Sequence, residues 1–142
     1  MTNEKPGGGT LDVFFYGLFM DIGVLNATGV SADFPRRAIA HDIALVIGNR
    51  ATLMPSEGGV SYGMVFSMLA DDVDRLYSGD GLEDYRPGSL MATYEDGSSE
   101  NVVCYTLPDA PDTDAFNRDY AARLQSVLGE LGFPDEYIAA LV

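Results

Sequence analysis

Residues 43–68, IALVIGNRATLMPSEGGVSYGMVFSM, contain the pattern that decides the fold. Apolar runs lie on both sides of Gly48-Asn49, a pair that readily adopts the positive φ angles of a tight turn. Residues 37–46 and 51–54 are therefore predicted to be two extended stretches joined as a hairpin. A second turn is predicted at residues 57–59, where glutamate is followed by two glycines.

Further strands are predicted on both sides of this hairpin. Residues 11–16 are apolar and rich in Val and Phe, which is typical of a central strand with both faces covered, and Gly17 ends this strand. Gly63 interrupts the strand predicted over residues 60–68, and a glycine there often marks a bulge, a bend or the close approach of a ligand. Strand composition returns at residues 85–94 and 101–107.

Helices are predicted after these strands. Residues 69–78, LADDVDRLYS, place their apolar side chains on one helical face, and residues 116–131 form a longer apolar stripe that Gly132 ends. Pro134 is expected to open a last short helix over residues 135–141. About six consecutive strands with few crossover helices favour an α+β fold, a small mixed or antiparallel β-barrel with flanking helices.

The composition indicates one acidic globular domain. With 142 residues, of which 46% are hydrophobic, the chain can bury a sizeable core. Residues 11–142 are assigned to a single domain, and the glycine-rich residues 1–10 are predicted to be a disordered leader. The formal net charge of -14 argues against nucleic acid or an anionic membrane surface as a partner. Without a secretory signal pattern or a membrane-length apolar run, we expect a cytoplasmic protein, either a monomer or a homodimer.

Few residues offer metal or nucleophile chemistry. A single His and a single Cys argue against a zinc site, so no metal is expected. His41 lies in a strand pattern and is expected to be satisfied by a neighbour rather than to be catalytic. Cys104, in the middle of the strand NVVCYTL, is expected to be a small core residue rather than a reactive thiolate.

Carboxylate chemistry is possible in YSGDGLEDYRPG, residues 77–88. Asp80 stands between two glycines, where the backbone is free to approach a ligand closely. A carboxylate held against a pocket wall, with its pKa raised by burial, can act as a general base and acid. Composition alone favours the alternative interpretation, in which Gly79-Asp80-Gly81 is a surface turn.

Five segments along the chain match one family in order. They are FFYGLFM, IALVIGNRATLMPSEGGVSYGMVFSM, DGLEDYRP, VVCYTL and YAARLQSVLGELGFPDEY. The first is similar to a Tyr-Gly-Ser-Leu/Asn-Met motif, and the third to a Glu-Gly pair followed by Tyr. Over residues 13–141 the chain therefore resembles the gamma-glutamylcyclotransferase-like family, including its gamma-glutamylamine cyclotransferase relatives. Members are small barrel proteins that convert gamma-glutamyl amines into 5-oxoproline and free amine.

This resemblance implies a substrate site. The backbone amides around Gly17 and Leu18 would hold the α-carboxylate of a small gamma-glutamyl amine or amino acid, because successive amides at a turn can bind an anion. The remaining substrate-binding candidates are aromatic: Tyr16 and Phe19 in the same motif, and Tyr85, Tyr105 and Tyr120, which match family positions near the cavity. The alternative for each of these last three tyrosines is a plain core or rim residue.

The resemblance also implies a reaction that needs no cofactor. A carboxylate takes a proton from the substrate's α-ammonium group, the freed amine attacks the γ-carbonyl, and the same acid protonates the leaving amine. Asp80 stands where the family has Glu, one methylene longer, and Glu83 is the alternative general base and acid. Leu18 replaces the family's Ser but keeps the backbone amide. These departures leave a second hypothesis open: a barrel that keeps the cavity and only binds a small molecule or a partner.

Overall fold

The structure, a computed structural model, describes residues 10–48, 50–79, 82–109 and 116–141. Within them, five strands form a closed barrel in the order β1-β3-β2-β4-β5. The strands are β1 (Thr10–Phe15), β2 (Asp33–Ile47), β3 (Ala51–Leu69), β4 (Arg86–Tyr94) and β5 (Ser99–Thr106). Neighbouring strands are antiparallel except β5 and β1, which close the barrel in parallel at Val13 and Val103. The predicted α+β barrel with mixed strand directions is confirmed.

The long β2–β3 hairpin accounts for the difference between five strands and the predicted count of about six. Residues 51–54 and 60–68 were assigned to separate strands, but both belong to β3. The ladder runs from Ile43–Pro55 to His41–Val60, so residues 56–59 bulge outward instead of ending the strand. Asp42, with φ 61°, stabilises this bulge by accepting a hydrogen bond from the Gly58 amide at 3.0 Å. A glycine-rich turn signal therefore serves as a bulge within a continuous hairpin.

The first strand is covered on both faces, as its composition predicts. Phe14 and Tyr16 join a buried cluster that draws on all five strands and therefore fills the barrel interior. Val13 and Phe15, on the opposite face, belong to the second cluster, which includes residues of the helices. Gly63 of β3 is approached closely by β1 rather than by a ligand, because a β-carbon there would overlap the Phe15 carbonyl oxygen and the Phe14 ring.

Among the described residues, four helices pack around the barrel. They are α1 (Ile22–Ala27), α2 (Ala70–Leu76), α3 (Arg118–Glu130) and α4 (Asp135–Ala139). Leu25, Val73 and Leu124 from the first three are fully buried against the outer face of the sheet. The last three helices were predicted, with boundaries shifted by a few residues, whereas α1 was not. Within the described residues, no helix is both long and apolar enough to cross a membrane.

Candidate active site

The chain turns sharply where β1 ends, and the turn is packed against α3. Gly17 follows the buried Tyr16 and precedes a single 3-10 turn, Leu18–Met20. The Tyr16 hydroxyl donates a hydrogen bond to the Tyr105 carbonyl oxygen at 2.8 Å, which fixes the end of β1 to β5. A β-carbon at Gly17 would overlap the Tyr120 hydroxyl. Glycine at this position therefore leaves room for a tyrosine from α3.

Tyr120 links α3 to this turn through its hydroxyl group. The hydroxyl is hydrogen-bonded to the backbone of Leu18. Burial raises the pKa of Tyr120 to about 12, although the Leu18 hydrogen bond acts in the opposite direction. The side chain is therefore a neutral hydroxyl near pH 7. The structure thus places a polar group of the protein at the turn that the sequence predicts to bind an anion.

A cavity of about 270 Å³ opens beside the Gly17 turn. Its wall is mainly aromatic and aliphatic, and it comprises Phe15, Tyr16, Gly17, Leu18, Phe19, Val24, Arg50, Ala51, Tyr77, Leu82, Tyr85 and Tyr120. Six of the seven predicted substrate-binding residues therefore lie together at one cavity; the exception is Tyr105. The arrangement suits a small molecule with an apolar body and a few polar groups.

Tyr85 forms the side of the cavity next to the β2–β3 turn. Its hydroxyl donates to the Ala51 carbonyl oxygen at 2.5 Å, and burial raises its pKa. Tyr105 packs behind the wall, stacked on Tyr77 with 3.9 Å between ring centroids and 4° between ring planes. Tyr77 itself lines the cavity. Sequence reasoning placed Tyr77 only on the apolar face of a helix, because periodicity cannot distinguish a core residue from a cavity wall.

Arg50 is a cavity residue that sequence reasoning missed. It is the only charged side chain among the described residues that line the cavity. Its Nη1 atom lies 3.1 Å from Oδ2 of Asp84, and the two side chains are 37% and 66% exposed. The available signal was an arginine directly after the predicted Gly48-Asn49 turn.

Comparison with solved structures shows which proteins share this architecture. A protein named gamma-glutamyl cyclotransferase matches with a TM-score of 0.78 and 20% identity, over 94% of this chain and 86% of its own. YkqA from Bacillus subtilis matches with a TM-score of 0.77 and 20% identity, over 94% of this chain and 53% of its own. An uncharacterised protein from Homo sapiens matches with a TM-score of 0.73 and 21% identity, over 93% of this chain and 86% of its own.

The chain has the gamma-glutamyl cyclotransferase fold. No family model matches the sequence, and no curated protein resembles it significantly. The gamma-glutamyl cyclotransferase fold is therefore recognisable here from the arrangement of its strands and helices, while the residues themselves have diverged.

Of the two carboxylates predicted for catalysis, Glu83 lies within the described residues and Asp80 does not. Asp80 and Gly81 lie outside the described residues. Leu82, two positions after Asp80, lines the cavity, and its amide donates to the Gly79 carbonyl oxygen at 3.1 Å. The Glu83 side chain is exposed and is not part of the cavity wall. The described part of the wall therefore supplies binding groups, and the position of the general base stays a prediction.

The remaining reactive side chains lie away from this cavity wall. Cys104 is buried in the barrel interior, as predicted, and burial raises its pKa to about 12. His41 is exposed on β2, opposite Val60 of β3. Among the described residues, no three His, Cys, Asp or Glu side chains are grouped closely enough to hold a metal ion.

Proposed function

We propose that the protein is a cyclotransferase that converts a small gamma-glutamyl amine or amino acid into 5-oxoproline and a free amine. The observation that carries this proposal is the Gly17–Leu18 turn in the wall of an aromatic cavity of about 270 Å³. A protein with the same fold is named gamma-glutamyl cyclotransferase. The cavity volume is near the lower end of the range for small-molecule sites, which suits a substrate of dipeptide size.

Substrate binding begins at the Gly17–Leu18 turn. The substrate's α-carboxylate replaces the Tyr120 hydroxyl as the hydrogen-bond partner of the Leu18 backbone. Because Tyr120 is neutral, its hydroxyl can then donate to the bound carboxylate. The aromatic wall packs against the apolar part of the substrate and excludes water, which favours the folded conformation that brings the α-amine to the γ-carbonyl.

The reaction needs one carboxylate that accepts and returns protons. Asp80, two positions before the cavity residue Leu82 in sequence, is proposed to remove a proton from the α-ammonium group. The freed nitrogen attacks the γ-carbonyl carbon and forms the ring C–N bond. The protonated Asp80 then donates to the departing nitrogen as the original amide C–N bond breaks. Burial raises the pKa values of Tyr16, Tyr77 and Tyr85, so these tyrosines are neutral hydrogen-bonding groups rather than bases near pH 7.

The direct test is release of 5-oxoproline by purified protein from a panel of gamma-glutamyl amines and amino acids. Asp80→Asn is expected to lower kcat by at least about 100-fold, in the range for loss of a general base. Glu83→Gln is the matched control and is expected to stay within about threefold of the parent protein, because such a surface change removes no proton-transfer group. No product from any substrate, with a folded protein shown by circular dichroism, rejects the proposal. The reverse pattern in the two variants assigns the base to Glu83.

A second candidate function is binding without turnover. The described cavity wall contains no carboxylate, and Asp80 is shorter than the Glu of the family motif. Asp80→Glu distinguishes the two functions because it restores the missing methylene. Turnover that appears only in Asp80→Glu supports a binding protein that has lost the reaction, whereas turnover in the parent that disappears in Asp80→Asn rejects it.

A further inference from the structure

Arg50 brings a positive charge to a cavity in a strongly acidic protein. The chain has a formal net charge of -14, so its overall field repels anionic ligands. A ligand that carries carboxylates therefore needs local compensation. The Gly17–Leu18 turn offers backbone amides for one carboxylate. Arg50 is the only charged side chain among the described residues of the wall, and it can compensate a second one.

Arg50 and the Gly17 turn contact different tyrosines of the cavity. Gly17 lies against the Tyr120 hydroxyl. The charge of Arg50 instead acts on Tyr85, where it lowers the pKa against the larger effect of burial. Tyr85 is tied to the β2–β3 turn by its hydrogen bond to Ala51, so the guanidinium belongs to that side of the cavity. The two groups therefore lie on different parts of the same cavity wall.

The existing partner of Arg50 leaves the guanidinium able to bind a ligand. Asp84 contacts it through one nitrogen, Nη1, and Asp84 is 66% exposed. Such a solvent-exposed ion pair is weak because water screens it. A guanidinium has five N–H donors in a planar fork that fits a carboxylate, so it can hold Asp84 and a ligand carboxylate together. Asp84 at the same time holds Arg50 at the cavity.

We propose that Arg50 determines substrate specificity by binding a carboxylate on the departing, amine-side part of the substrate. The preferred substrates are then gamma-glutamyl amino acids and short gamma-glutamyl peptides, rather than gamma-glutamyl amines without an acid group. This assignment rests on the proposed cyclotransferase function. It adds a selection that the Gly17 turn cannot make, because every gamma-glutamyl substrate has the α-carboxylate that the turn recognises.

The test compares two substrates of matched size, gamma-glutamylalanine and gamma-glutamylethylamine, which differ in the amine-side carboxylate. The parent protein is expected to prefer gamma-glutamylalanine by about 10- to 100-fold in kcat/KM, the range for one charge-assisted hydrogen-bonded contact. Arg50→Met is expected to remove most of this preference. Arg50→Lys keeps the charge but loses the planar fork, so an intermediate preference is expected.

Arg75→Met is the matched control. Arg75 also pairs with an aspartate, Asp72, and its loss changes the net charge equally, but Arg75 is not part of the cavity wall. The preference for gamma-glutamylalanine is expected to be unchanged in this variant. An equal drop in Arg50→Met and Arg75→Met overturns the proposal, because it reports the overall field rather than a contact.

Titration calorimetry with the same two compounds separates this proposal from the proposed function. If the folded parent protein binds gamma-glutamylalanine more tightly and Arg50→Met abolishes the difference, the specificity assignment stands even without turnover. Release of 5-oxoproline at equal kcat/KM from both compounds overturns the role of Arg50 and leaves the cyclotransferase proposal intact. Absence of both binding and turnover, for both compounds, overturns both.

Discussion

Two concave surfaces of this protein each combine aromatic side chains with an arginine, but the two arginines have different partners. The larger, here called the Arg36 groove, has a volume of about 840 Å³ and is lined by residues that include Phe34, Arg36, Tyr94 and Glu100. The smaller is the cavity of about 270 Å³ beside Gly17. The larger surface would be the default site by size alone. The contacts of its charged groups instead favour the smaller cavity as the candidate site.

Arg36, the central cation of the Arg36 groove, is already bound by neighbouring carboxylates. Arg36 lies 3.2 Å from Asp12 and 3.4 Å from Glu100, and it also donates to Ser67 and to the Tyr94 hydroxyl. This network joins β1, β2, β3, β4 and β5, so its function is to hold the barrel together. In the cavity, by contrast, Arg50 is paired only with the exposed Asp84 among the described residues. Available polar groups, rather than volume, therefore mark the candidate site.

The largest expected effect tests the contact that shapes the smaller cavity. Gly17→Ala is expected to destabilise the protein by about 1–3 kcal/mol, the range for overpacking, because the new β-carbon overlaps the Tyr120 hydroxyl. Ligand binding is expected to fall by about 100-fold, since the turn is displaced. Urea unfolding and titration calorimetry measure the two quantities.

Two further variants make this prediction specific. Gly129→Ala is the control, because a β-carbon at Gly129 meets nothing within 4 Å. In a Tyr120→Phe background the overlapping oxygen is gone, so Gly17→Ala should cost less stability than it does in the parent protein. An undiminished cost in that background contradicts the close approach of Tyr120.

The next largest effect tests the structural role of the Arg36 groove. Arg36→Met is expected to lower the free energy of unfolding by about 1–3 kcal/mol, because it removes hydrogen bonds to charged partners at a partly buried site. Binding of gamma-glutamyl compounds is expected to be unchanged. Arg118→Met, which among the described residues loses a contact with the Phe116 ring, is the control and should stay within about 0.5 kcal/mol. Loss of ligand binding in Arg36→Met would move the candidate site to the groove.

A smaller effect is expected from pH. Burial opposes ionisation of Asp12, but hydrogen bonds from Ser67 and Arg36 outweigh it and lower the pKa of Asp12 below its ordinary value of 3.8. The unfolded chain therefore binds this proton more readily than the folded one, and the stabilisation is present above pH 3.8 and lost as pH falls through the folded pKa. Urea midpoints between pH 6 and about pH 3 measure the loss. The Asp12→Asn variant should show a shallower decline, and an identical decline contradicts the assignment.

The smallest expected effect concerns the reactivity of Cys104 in the barrel interior. Burial raises the pKa of the Cys104 thiol to about 12, so the folded protein should not react with a disulfide reagent at pH 7.5. The thiol should react fully once urea unfolds the chain. Rapid labelling of the folded protein would show that the barrel interior opens to solvent, which contradicts this prediction.

Local sequence patterns were sufficient for most of the barrel. The apolar residues 11–16 predicted a strand buried on both faces, and β1 has one face in the barrel interior and the other under the helices. The glycine-rich residues 57–59 predicted a turn, and the chain does bulge away from the sheet there, but the hairpin continues beyond it. The pairing across the bulge depends on Asp42 of the other strand, which no local pattern around residues 56–59 contains.

The part of the candidate site that lies in one continuous motif was predictable from the sequence. Tyr16, Gly17, Leu18 and Phe19 are consecutive and line the cavity together. Tyr105 was grouped with them through the family pattern, but it reaches the cavity only through Tyr77, which stacks on it. Asp80 lies outside the described residues, so its assignment as the base stays a prediction.

The sequence by itself determined most of the strands, three of the four described helices, and which faces of these elements are buried. These properties follow from the spacing of apolar side chains, which reports local backbone geometry. Only the tertiary structure decided that β1 and β5 close the barrel, that Tyr120 meets Gly17, and that Arg50 enters the cavity wall. Each of these contacts joins residues far apart in the chain, and their meeting depends on how whole elements pack rather than on any residue's immediate neighbours.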